Sequence, residues 1–293
     1  MSGFYLLLRQ LYHIVANAQV LRRTLVHLVE LTHDQTGGIA LIEAFISLYL
    51  FLVGAVFGSF ATLVGERVVD GQSIVRPASR CNHCQTPLRP WHLVPVVSWI
   101  LLGGRCSVCH TRIPMRYPAQ ELLLGTAVVL SFWHHSDVLL SVASCLLWFV
   151  LVIAVSTDLR HLIVPNWLTY PSCLALYALC AVGEGNFVRP LLGMVVGFVM
   201  IFAVHLISGG KMGLGDAKLY LSIGAVLGAA RCVESFVLAC LFGAVVGILL
   251  RWTGRLERRQ FIPFVPFIVM GVACANFLLS DFPDWYLHHV LRV

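Results

Sequence analysis

The chain has 293 residues, of which 59% are hydrophobic and 12% are charged, with a formal net charge of +6. Soluble domains carry about 25% charged residues, so this composition excludes an ordinary water-soluble fold, and its hydrophobicity excludes a disordered chain. The basic excess follows the loops between apolar runs, which fits the positive-inside rule of a multi-span membrane protein and not a nucleic-acid-binding face.

Residues 1–38 place Phe4, Leu7, Leu8, Leu11, Ile14, Val15, Ala18, Leu21, Leu25 and Leu28 at helical spacing, with Arg9, Gln10, His13 and Asn17 toward the other side. Two readings stand for this segment: an amphipathic helix lying on the membrane surface, or a loosely ordered extension. No stretch joins a basic n-region to a small-residue cleavage site, so a removable signal peptide is not expected.

Residues 39–64 form the first run long enough to span a bilayer. A polar, Arg-rich loop follows at 65–118, then seven further apolar runs at roughly 119–134, 138–157, 167–183, 190–208, 216–231, 233–251 and 262–280. The sixth is short and rich in small residues, which favour close helix packing in lipid. The expected fold is an all-α polytopic membrane protein of about eight transmembrane helices with a zinc-ribbon-like loop, residues 119–293 forming a seven-helix core. Loop charge sets the orientation. Seven Arg in residues 65–118, and Arg251, Arg255, Arg258 and Arg259 after the seventh run, place both loops in the cytoplasm. Asp137, Glu184 and the tail with Asp281 and Asp284 then fall on the opposite side.

Cys81-Asn-His-Cys84 and Cys106-Ser-Val-Cys109 are two C-x-x-C knuckles within the polar loop. Two such knuckles bring four thiolates to one tetrahedral zinc ion, and four Cys leave no open position for water, so the metal reads as structural. Thiols in the cytoplasm are kept reduced, which argues against paired disulfides. His83, His92 and His110 are alternative ligands that four Cys make unnecessary. The other six Cys lie in apolar runs and read as buried single thiols.

Only seven Asp occur in the chain, and two sit at the cytoplasmic ends of spans. Asp158 closes the third, in Ser156-Thr-Asp158-Leu-Arg-His-Leu-Ile-Val-Pro165-Asn166, and Asp216 opens the sixth, in Met212-Gly213-Leu-Gly215-Asp216-Ala-Lys218. A carboxylate beside hydrocarbon is costly and marks a functional or paired group. Gly213 and Gly215 remove side chains just before Asp216, opening room for a substrate backbone. Two carboxylates that share a proton can activate water and protonate a leaving amine. Separately, Asp216 reads as a helix N-terminal carboxylate and Asp158 as a partner of Arg160.

In these motifs the chain resembles the prepilin peptidases, or type 4 prepilin leader peptidases, of the GxGD membrane aspartic protease group. The resemblance runs from about Gly54 to Gly271 and includes Gly58-Ser-Phe60 with Arg67, the cysteine loop with Pro95-Val-Val-Ser98, Arg116-Tyr-Pro118 with Glu121, the two Asp segments, and Ile262-Pro-Phe-Val-Pro-Phe267. It implies Asp158 and Asp216 as the catalytic pair, with Gly213, Gly215, Lys218 and Pro165 in support, and Cys81, Cys84, Cys106 and Cys109 as zinc ligands. It also implies cleavage of pilin-like precursors after a Gly on the cytoplasmic side of a bacterial inner membrane. N-methylation of the new N-terminus from S-adenosylmethionine is implied as well, with Gly103 and Gly104 in the region linked to that step. Thr62, Val164 and Val265 depart from the residues common in the family at those positions. A transporter with an ion- or proton-relaying Asp pair and a zinc clip is the alternative of a different class, and a non-catalytic secretion assembly factor is a second.

Overall fold

The computed structural model describes residues 9–10, 12–20, 24, 37–76, 78–254 and 262–279. Arg255, Arg258, Arg259 and the acidic tail lie outside the described residues, as does most of the N-terminal segment. The described residues contain helices and isolated bridges but no strands. From residue 37 onward the helices in chain order are α1 (Gly37–Val69), α2 (Val97–Leu101), α3 (Arg116–His134), α4 (Val138–His161), α5 (Asn166–Glu184), α6 (Val188–Ile207), α7 (Leu214–Trp252) and α8 (Val265–Ala273), which runs on as a π-helical turn, Cys274–Leu278.

Among the described residues, four helices are long and apolar enough to cross a membrane: Ala40–Val69, Val138–His161, Val188–Ile207 and Leu214–Trp252. Four of the expected runs do not qualify as separate long apolar helices, for physical reasons. Polar residues interrupt α3 (Arg116, Gln120, Glu121) and α5 (Asn166, Thr169, Ser172), and the last apolar helix, Val265–Leu278, is shorter. The expected sixth and seventh runs share one helical stretch, broken where Gly228 adopts φ 75° and ψ 176°. Only glycine takes that conformation without strain, so the break falls at Gly228 and not near residue 232.

The chain forms two compact units, Met1–Ile153 and Ala154–Val293. In the first, α1 packs against α3 along Gly54 and Gly58. A Cβ on Gly54 would lie 2.9 Å from the Gly125 Cα, and one on Gly58 would lie 2.9 Å from the Glu121 Cα. Residues 12–20 are helical, with Val15, Ala18 and Gln19 buried, Tyr12, His13 and Asn17 exposed, and Gln19 Nε2 donating to Ser141 Oγ at 3.0 Å. Residues 12–20 thus form a helix with one buried and one exposed face, and Gln19 Oε1 on the buried face has no hydrogen-bond partner.

In the second unit α6 and α7 cross closely through Gly193-x-x-x-Gly197, the small-residue spacing that lets membrane helices approach. A Cβ on Gly197 would lie 2.7 Å from the Tyr220 carbonyl oxygen. Gly197→Ala is therefore expected to destabilise the protein by about 1–3 kcal/mol, the cost of overpacking. A lower Tm in detergent would register this, and an unchanged Tm would refute the close crossing. Helix α5 joins α7 through Ser172 and Ser222, whose hydroxyls lie 3.1 Å apart, and α8 lays Gly271 against Ser235 and Ala239 of α7. Cys145, Cys173, Cys180 and Cys232 are buried as expected of single thiols, whereas Cys240 is exposed on an apolar helix and Cys274 is half-buried.

Candidate active site and candidate metal centre

Asp158 stands in the last turn of α4 and Asp216 in the first turn of α7; both are buried, and both belong to the second unit. The two carboxylates lie close enough to repel each other electrostatically. Helix α7 begins here because Gly213 is its extended N-cap, and the Asp216 N–H bonds back to the Gly213 carbonyl at 3.2 Å. Gly215 is tightly placed, whereas Gly213 has ordinary contact room. A Cβ on Gly213 would sit 3.4 Å from Asp216 Oδ2, and one on Gly215 would sit 3.1 Å from the Val164 Cβ. The bare side of Gly215 is thus already filled by Val164 of the same chain.

Helix α8 brings the other partner. The Val265 N–H donates to Asp158 Oδ2 at 2.9 Å, and the Phe264 N–H faces the same carboxylate. These are amides of a helix start, where donors have no partner within the helix and the dipole favours an anion. The segment Ile262–Phe267 was legible as a motif, but this role was not, because a backbone donor carries no residue signature. The extended Pro165 is the N-cap of α5 and receives the Leu168 and Thr169 N–H groups. Lys218 Nζ donates to Asn166 Oδ1 at 2.8 Å and lies 5.6 Å from the Tyr170 ring centroid, tying the start of α7 to the start of α5. His205, unremarked in the sequence, bonds through Nδ1 to the Met212 carbonyl at 2.6 Å and steadies the turn before Gly213.

The cysteine loop in the first unit is built from two copies of one turn. Arg80-Cys81-x-x-Cys84-x-Thr86 and Arg105-Cys106-x-x-Cys109-x-Thr111 each close with the first Cys N–H on the Thr carbonyl, at 3.0 and 2.9 Å. Gln85 and His110 take left-handed φ at the same place in each copy, 57° and 55°. The four sulfurs lie within 4.8 Å of one another, with Cys81–Cys109 at 3.8 Å and Cys84–Cys106 at 4.0 Å. A zinc ion bonded to sulfur at about 2.3 Å has tetrahedral edges of about 3.8 Å, so the cluster fits one metal ion. Among the described residues, no histidine joins the four Cys.

The threonines were missed in the sequence, although the repeated Cys-x-Thr spacing was there to find. The Thr86 and Thr111 hydroxyls sit 3.2 and 3.4 Å from Cys84 and Cys109 Sγ. Thr111, through its hydroxyl and then its backbone, pulls the Cys109 thiol down to about 5; Thr86 lowers Cys84 in the same way. Both shifts favour the thiolate, the form that binds metal. Gly103 and Gly104 precede the second knuckle with φ of 60° and 65°, and a Cβ on Gly104 would lie 2.7 Å from the Trp99 ring.

The first unit also buries polar groups at the polar end of α1 and α3. Thr62 Oγ1 lies 2.6 Å from Gln120 Oε1, Arg116 pairs with Glu66 at 2.9 Å, and the Tyr117 hydroxyl donates to Glu66 at 3.0 Å. Glu121 Oε2 accepts the Val96 N–H at 2.7 Å.

Residues 52–135 match the family model of the bacterial peptidase A24 N-terminal domain, and residues 144–248 match the type IV leader peptidase family. The chain is 30% identical to a prepilin leader peptidase/N-methyltransferase of Bacillus subtilis, over 83% of this chain and 98% of the relative. A protein of the same description from Myxococcus xanthus is 36% identical over 71% of this chain and 64% of its own. One from Pseudomonas aeruginosa is 32% identical over 68% and 71%. No solved structure gives a significant match. The chain belongs to the type IV leader peptidase family, and it is an integral membrane protein. These matches do not favour the transporter reading.

Proposed function

We propose that the protein matures pilin-like precursors in two steps, cutting the leader after a Gly and then N-methylating the new N-terminus. Its relatives are named for both activities, and the observation that carries the peptidase reading is the buried Asp158–Asp216 pair held by three helix ends. In this reading Asp158 is the ionised member, since donors with no other role face its oxygen. It takes a proton from water as the water attacks the scissile carbonyl, while Asp216, protonated, donates to the leaving amide nitrogen. Gly213 and Gly215 keep the start of α7 narrow, and Lys218 with Pro165 fixes it against α5.

Methyl transfer belongs to the first unit in this reading, with Gly103 and Gly104 near the donor and S-adenosylmethionine as the substrate that supplies the methyl group. Cys81, Cys84, Cys106 and Cys109 hold one structural zinc ion. The chain crosses a bacterial inner membrane about eight times, with both sites at the cytoplasmic face. Purified protein incubated with a prepilin-like precursor is expected to release the leader at Gly, and with S-adenosylmethionine to add one methyl group to the product, read by mass. An intact precursor after prolonged incubation would overturn the proposal.

A further inference from the structure

The loop between α1 and α3 carries a run of exposed apolar side chains that neither site uses. The 3-10 turn Pro90–Leu93 packs on α2, and Trp91 is 60% exposed, Ile100 62% and Leu101 79%. Val97, Ile100 and Leu101 recur at helical spacing and share the outer face of α2, while Ser98 and Trp99 are half-buried behind it. A five-residue helix has no stability of its own, so its orientation comes from its anchors. Glu121 holds the Val96 N–H at 2.7 Å, and Trp99 Nε1 donates to the Ile113 carbonyl at 3.2 Å.

The charge around this face is one-sided. Residues 65–118 contain seven Arg and no Lys against Glu66 and Asp70, and Glu66 is already bound to Arg116. The Arg89 guanidinium lies 5.3 Å from the Trp91 ring centroid. Trp beside Arg suits the headgroup level, where an amphipathic ring and a snorkelling cation are both accommodated. The loop is also tethered there, since α1 is long and apolar enough to span and ends at Val69. A basic peptide would meet like charge on this face, whereas an anionic leaflet offers phosphate to Arg89 and an apolar boundary to the side chains.

We infer that Trp91, Val97, Ile100 and Leu101 form a docking face that rests in the headgroup region of an anionic lipid leaflet, with Arg89 against lipid phosphate. The face does not depend on which reaction the protein catalyses. The test places the photoreactive residue p-benzoylphenylalanine at position 101 of the full chain, in nanodiscs of phosphatidylcholine with phosphatidylglycerol. After irradiation in the presence of a prepilin-like precursor, adducts to lipid should dominate. Their yield should fall about fivefold with Arg89→Gln, the factor that corresponds to roughly 1 kcal/mol per surface Arg, and at least as much in phosphatidylcholine alone. Adducts mainly to the precursor or to a second copy, or no adducts, would overturn the inference, as would equal yield in the two lipids. Hydrogen exchange on the unmodified chain gives a reading free of the probe. Amides 97–101 should exchange more slowly in the anionic discs, and equal rates count against the docking face.

Discussion

Asp158→Asn and Asp216→Asn are each expected to lower precursor cleavage by about 10³-fold or more, since positioned acid or base groups contribute roughly 10²–10⁴ each and the pair acts as a unit. Asn preserves the shape of both side chains. At position 158 its carbonyl oxygen can still accept the Val265 N–H, so α8 keeps its place and the loss reads as chemistry and not as unfolding. At position 216 the amide stays in the first turn of α7 and replaces a group that has to donate a proton by one that cannot. A single-turnover gel assay on a prepilin-like precursor reads the rate, with Tm in detergent confirming that each variant is folded. Cleavage within tenfold of the parent by either variant would remove that carboxylate from the mechanism. If methyl transfer belongs to the first unit, both variants should still methylate a substrate whose leader has been removed beforehand.

The two sites were legible in the sequence to different depths. The four Cys could be read because metal ligands announce themselves by type and local spacing, and the structure gathers all four. Asp158 and Asp216 stood out because charge is scarce in apolar runs, so two carboxylates at span ends needed an explanation. What positions them was hidden. Val265 contributes a backbone N–H that any residue but proline supplies, so its departure from the family residue at that position carries no warning. Val164, another departure, fills the space left by Gly215. Glycine is ambiguous for the same reason. In α7, Gly224 gives its bare face to Gly193, while Gly228, one turn on, breaks the helix, and nothing in the spacing tells packing from punctuation.

Loss of the proposed zinc ion should have the second large effect, on structure first. Among the described residues, the loop between α1 and α3 holds only two isolated bridges, a 3-10 turn and the five-residue α2, too little to fold unaided. Structural zinc supplies roughly 10–16 kcal/mol of apparent folding free energy in small domains. Cys81→Ser or Cys106→Ser is therefore expected to lower bound zinc from about one ion per chain to near zero, and to expose residues 65–118 to limited proteolysis. Mass spectrometry under native conditions and a protease time course measure the two effects. Unchanged metal content in both variants would refute the assignment. Acid should act in the same direction. The Cys109 thiol, held down to about 5 by Thr111, stays ionised at neutral pH and is protonated only as pH falls through that value. Metal binding requires thiolates, so affinity drops as pH falls, and the loop should open reversibly on acidification.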